Sequence, residues 1–158
     1  VSMSCSPIAT FPSIETEAAT KWGDAARKPV PRIMALVINY THEHYGWSDE
    51  IVFNLPEGVG ADAYSLVNKM LANATPMTSG DQPAYHITEL RVRGLTAEAD
   101  VVMPTKSGEY QMATLRLETG PFNPWSVTYD RLWAMPIHDS PAPTFSAEEF
   151  ASASNKNP

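Results

Sequence analysis

Cysteine is nearly missing from this chain: Cys5 is the single one among 158 residues. Neither an intrachain disulfide nor a multi-thiolate metal site can be built from it. Charge is scarce too, at 18% of residues against a usual share of about 25%. With 43% hydrophobic residues, so lightly charged a chain is neither disordered nor a coiled coil. Basic residues number 11 against 18 acidic, a formal charge of −7. That leaves no cationic footprint for nucleic acid, and anionic lipid surfaces would repel it. Long apolar runs are also lacking. The longest, Ile33 to Ile38, has six residues, where a bilayer-spanning helix needs roughly 20.

Catalytic and cofactor signatures are equally sparse. Gly58-Val59-Gly60 is an isolated Gly-x-Gly with no Lys-Ser/Thr ending, a turn feeding a helix. Neither His-Glu-x-x-His nor Gly-x-Ser-x-Gly occurs, and no motif calls for a cofactor. His42-Glu43-His44 is the one close histidine pair. On a strand the two would share a face, but on a helix they lie about 200° apart and cannot chelate one metal. No metal site is therefore expected.

Proline is what the chain has in excess: 14 residues, about 9% against an ordinary ~5%. The prolines concentrate at the ends and in connections. Residues 1–12 read as a flexible tether and residues 136–158 as a Pro/Ser/Ala-rich tail, leaving one domain over 13–135. Cys5 near the start is the candidate lipid attachment point of a trimmed bacterial lipoprotein. This points to an extracytoplasmic, cell-surface or periplasmic location, the alternative being a cytoplasmic protein starting at Met3.

Within the domain, Ser13 caps a first helix that carries Ile14, Ala18, Trp22 and Ala25-Ala26. A second helix is expected over Arg32–Tyr45, where Ile33, Met34, Val37, Tyr40 and Tyr45 recur at helical spacing. Gly46 stands at its αL cap position, and the run Leu36-Val37-Ile38, with β-branched Val37 and Ile38, makes a strand the competing reading. Glu50–Leu55 reads as a short strand, Ala61–Ala72 as a third helix, and Asn73–Pro83 as a loop. After Pro83 the period changes to two, with strands over Tyr85–Arg93, Thr96–Met103, Glu109–Glu118 and Trp125–Met135. Short connections make these an antiparallel meander. The fold class is α+β: two N-terminal helices, a short strand, a third helix, then a four-stranded antiparallel meander with helices on its apolar face.

Alternation assigns the faces of this meander. Arg91, Arg93, Glu98, Asp100, Arg116, Glu118, Thr128 and Asp130 fall on a solvated face. Leu90, Val92, Ala97, Ala99, Leu115, Leu117, Val127, Tyr129 and Trp133 fall on an apolar one. Arg131 then belongs to the apolar face between Tyr129 and Trp133. A guanidinium there needs a partner, because burying it alone is costly. One reading is a pocket arginine that binds a carboxylate or another anion between two aromatic walls, with His44 as a further ligand-binding candidate. The other is a bulge that turns Arg131 to solvent, or a pairing with Glu43.

The element order, and the closing strand Pro124-Trp125-Ser126-Val127-Thr128-Tyr129, resemble the nuclear transport factor 2-like superfamily. The resemblance covers about Ser13 to Met135 and implies a cone-like fold, a curved sheet wrapped around helices. That superfamily includes enzymes and binding modules alike, so it does not by itself assign an activity. The leading expectation is a non-catalytic domain that binds a small ligand or a protein partner, with a homodimer among its assemblies. The alternatives are a cone-fold enzyme with Arg131 for an anionic substrate and His44 or His86 as base, or a dimerisation and scaffold module.

Overall fold

The computed structural model describes residues 8–13, 24–145 and the single positions 148, 151 and 155. Cys5 and the body of the expected first helix, residues 14–23, lie outside the described residues. Ala25 and Ala26, the end of that expected helix, sit in a turn.

Two helices are present among the described residues. Helix α1 spans Val30–Tyr45, with Pro31 in the first turn, where its missing N–H costs no hydrogen bond. Its buried stripe includes Ile33, Met34, Val37 and Ile38, each 0% exposed. Helix α2 spans Ala61–Met70 and buries Ala63, Tyr64 and Val67. The β-branched run inside α1 does not become a strand, because the apolar stripe at helical spacing packs against the sheet and α2.

Gly46 differs from expectation. It is extended, at φ −70° and ψ 154°, and not αL, while its N–H bonds back to the His42 carbonyl. Glycine is required there by space. A Cβ would overlap the His42 carbonyl oxygen and come within 2.6 Å of the Tyr85 hydroxyl. Gly46→Ala is expected to cost about 2 kcal/mol, read as a lowered denaturation midpoint.

Among the described residues seven strands form one mixed sheet. They are β1 Ile8–Phe11, β2 Ile51–Asn54, β3 Ala74–Pro76, β4 Tyr85–Arg93, β5 Thr96–Pro104, β6 Tyr110–Glu118 and β7 Ser126–Ile137. The order is β3-β2-β4-β5-β6-β7, with β1 also on β4. The expected architecture of three helices and a four-stranded meander is therefore corrected. The hairpin-linked strands β4 to β7 are the antiparallel part of a larger sheet. Its other part is parallel: β2, α2 and β3 form a crossover unit, and β2 also runs parallel to β4. Strand β3 was hidden in the expected loop by Pro76, which is tolerated because β3 is a three-residue edge strand.

The expected limits at 12 and 136 do not coincide with the ends of packed structure. Ile8–Phe11 pairs antiparallel with Arg93–Leu90, β7 runs to Ile137, and Phe145 is in the core at 6% exposure.

Both helices lie on the face carrying Leu90, Ala99, Leu115 and Leu117, all 0% exposed. The outer face carries Arg91 bonded to Glu89 and Glu98, with Arg116 near Glu98. These pairs are part-exposed, so they set face polarity more than they add stability.

Candidate functional site

The residues expected to form a pocket are rearranged by one extra residue. Arg116 pairs with Tyr129 and Leu117 with Val127, so Thr128 is bulged out of register. Past a bulge, every side chain changes face. Tyr129, Arg131 and Trp133 consequently stand on the outer face, opposite Arg116 and Thr114, and all three are exposed. Asp130, expected outside, is turned inward opposite buried Leu115.

On the outer face the three side chains form a ladder with β6. The Arg131 guanidinium lies 4.2 Å from the Trp133 ring centroid, and Arg116 lies 5.7 Å from that of Tyr129. The Trp133 indole N–H donates to Thr114 Oγ1 at 3.0 Å, and that hydroxyl donates to Asp100 at 2.6 Å. Arg131 is thus a solvent-facing, ring-stacked cation, and its expected place on the buried apolar face is corrected. His44 is elsewhere. It stacks on Tyr40 at 3.8 Å on α1 and donates from Nδ1 to the Tyr40 carbonyl. The neighbouring Tyr45 hydroxyl donates to Asp130. Burial first, then this carboxylate, pushes Tyr45 up to about 12, so it stays a neutral donor tying α1 to β7.

A second cluster holds His86, expected from the sequence only as an alternative base, together with Asn54, which the sequence reading did not single out. Asn54 at the end of β2 is 2% exposed, and His86, its register partner on β4, is 1% exposed. The chain beyond β7 comes back to β2 and seats Ala142–Phe145 on them. Asn54 Nδ2 donates to the Ala142 carbonyl at 2.9 Å, and Asn54 Oδ1 accepts from the Thr144 N–H at 3.0 Å. Tyr64 Oη accepts from the Leu55 N–H at 2.9 Å and lies 2.6 Å from Thr144 Oγ1. The Phe145 ring stacks on Tyr64 at 4.5 Å.

These bonds determine a tautomer. A backbone N–H can only donate and a carbonyl can only accept, so the Asn54 amide has one orientation. Its second N–H then points to His86 Nδ1, 3.1 Å away, which must accept. The proton of neutral His86 is therefore on Nε2. Burial holds His86 neutral by lowering its pKa to about 4. Nε2 has no hydrogen-bond partner among the described residues.

A cavity of about 480 Å³ adjoins this cluster. It lies where β1 and β2 end on the same side of β4. Strand β1 reaches Leu90 and β2 reaches His86, so among the described residues no strand pairs with Ile87–Glu89 on that side. Pro12, Leu55–Glu57, Ile87–Thr88 and Pro141–Thr144 line it, together with Asn54 and His86. Arg131, Tyr129, Trp133 and His44 do not line this cavity, and Arg131 is three strands away from His86. Two signals in the sequence pointed here: Asn54 closing an apolar strand, and His86 inside one.

Comparison with protein-family models, with curated proteins and with solved structures finds no match to this chain. No group of three or more metal-ligating side chains is present among the described residues. No described helix is long and apolar enough to cross a membrane.

Proposed function

We propose that this chain is a protein-interaction domain that self-associates through β7. The observation that carries this reading is the character of that strand. It is 12 residues long, stands last in the sheet order, and exposes Tyr129 (51%), Leu132 (43%), Trp133 (39%) and Met135 (78%). A long edge strand offers unpaired backbone groups to another chain, and proteins that stay monomeric blunt such edges with outward charges. Here the two mid-strand charges are engaged within the molecule: Asp130 by Tyr45, and Arg131 by the Trp133 ring. The interior facing the helices is filled, which favours a surface over a deep pocket on that side.

A second copy is the simplest partner, because two identical edges meet antiparallel about a twofold axis and satisfy one another. Sedimentation velocity on the full chain is expected to show a dimer with Kd of about 1–10 μM. Leu132→Lys places a charge mid-edge and is expected to weaken association about tenfold or more, with the thermal midpoint unchanged. A monomer at concentrations up to about 100 μM would overturn the proposal.

A further inference from the structure

We propose that the cavity between the ends of β1 and β2 is a binding site for a small uncharged amide, with the His86 Nε2–H as its donor. Most polar side chains lining the cavity are already paired within the protein. The Asn54 amide is consumed by His86, Ala142 and Thr144. The Thr144 hydroxyl is consumed by Leu55, Tyr64 and Asn54. The Thr88 hydroxyl donates to the Asp100 carbonyl. Among the described side chains that line it, two polar groups remain without a partner: the His86 Nε2–H, which is itself covered, and the exposed Glu57 carboxylate at the rim.

An unsatisfied buried donor costs about as much as a lost hydrogen bond, so a native site that retains one is expected to meet an acceptor. The acceptor is not an anion. Among the described residues no lysine or arginine lines the cavity, and the one acidic group at its rim is Glu57, which repels carboxylates and phosphates. An amide supplies what both free groups need: its carbonyl accepts from Nε2–H, and its N–H donates to Glu57. The remaining walls, Pro12, Pro56, Pro141 and Pro143 with Leu55 and Ile87, suit an apolar body. The volume lies within the range of small-molecule sites. Nε2 itself is fully covered, so entry requires a wall to give. In this proposal the part that gives is the part-exposed stretch Pro141–Pro143, which lines the cavity, is bonded through the Asn54 amide to the Ala142 carbonyl, and pairs with no strand among the described residues.

The test is nuclear magnetic resonance of the ¹⁵N-labelled full chain, with 2-pyrrolidinone and acetate as probes. Long-range nitrogen–proton correlations should show one neutral histidine protonated at Nε2, and it should be absent from His86→Gln. That Nε2 is expected to shift saturably with 2-pyrrolidinone, at Kd of about 1–10 mM for so small a probe, and not with acetate. Glu57→Gln alters only an exposed rim residue. It should weaken 2-pyrrolidinone about fivefold and let acetate bind. No saturable shift, which would mean water only at Nε2, overturns the proposal. So does a proton on Nδ1, or acetate binding as tightly as the amide in the unsubstituted chain.

Discussion

Replacing Asn54 by leucine is expected to cost about 3–5 kcal/mol and to release the segment Ala142–Phe145. Leucine is close in size, so the loss is one of hydrogen bonds with little change in volume. The Thr144 N–H, the Ala142 carbonyl and His86 Nδ1 would all lose their partner at a site where Asn54 is 2% exposed. Each buried group left unpaired costs about 1–3 kcal/mol, and members of one network do not add independently.

Two measurements check it: the denaturation midpoint, and amide exchange at Ala142, Thr144 and Phe145. Fast exchange confined to these amides while β4 to β6 stay protected is the expected pattern. Thr144→Val keeps the backbone bonds to Asn54 and should lose about 1 kcal/mol. If Asn54→Leu leaves both midpoint and exchange unchanged, Asn54 does not hold the segment.

Acidification is expected to remove about 3 kcal/mol of stability through His86 alone. An unfolded histidine titrates near 6.5, whereas burial lowers the folded His86 to about 4. Between those values the unfolded state binds the extra proton, so stability rises with pH across the window. The contribution is complete above about 6.5, is lost progressively as pH falls, and is fully gone once pH passes below about 4. Protonation also removes the Nδ1 acceptor that the second Asn54 N–H uses, so the Ala142–Phe145 segment should loosen in the same window. Urea denaturation at pH of about 7 and about 4.5 tests this against His86→Gln. The variant should be less stable at neutral pH yet flatter across the window. Equal slopes for the two chains would mean that His86 is not held neutral by the fold.

Local signals account for much of the architecture. The stripe Ile33, Met34, Val37 places α1, and the period-two stretches after Pro83 place β4 to β7 within a residue or two. Features that depend on partners distant in sequence were not legible in the same way. Ile8–Phe11 is a strand because β4 presents Leu90–Arg93 to it. Ala74–Pro76 is a strand because β2 runs beside it. Nothing within four residues of either announces that pairing.

The clearest case is Thr128. Strict alternation carries Arg131 to the apolar face, and a single bulged residue reverses the result for Tyr129, Arg131 and Trp133. The bulge lets Asp130 turn inward to the Tyr45 hydroxyl, a bond between residues 85 positions apart. The candidate site shows the same dependence. Asn54 and His86 are isolated polar residues in two apolar strands, and nothing local joins them until β2 and β4 become neighbours. Their remaining partners arrive with Thr144, 90 positions along the chain from Asn54.

The near-absence of cysteine, the low charge and the short apolar runs are properties of the chain alone. By themselves they leave no partner for an intrachain disulfide and no apolar run long enough for a membrane-spanning helix, because those need specific side chains whatever the fold. Periodicity likewise determined where most helices and strands lie, because it records which side of each element must leave water. Only the tertiary structure decided that Arg131 faces solvent, that β7 is an edge, and that a neutral histidine is buried beside a cavity. Those outcomes follow from strand order and register, set by packing among residues tens of positions apart.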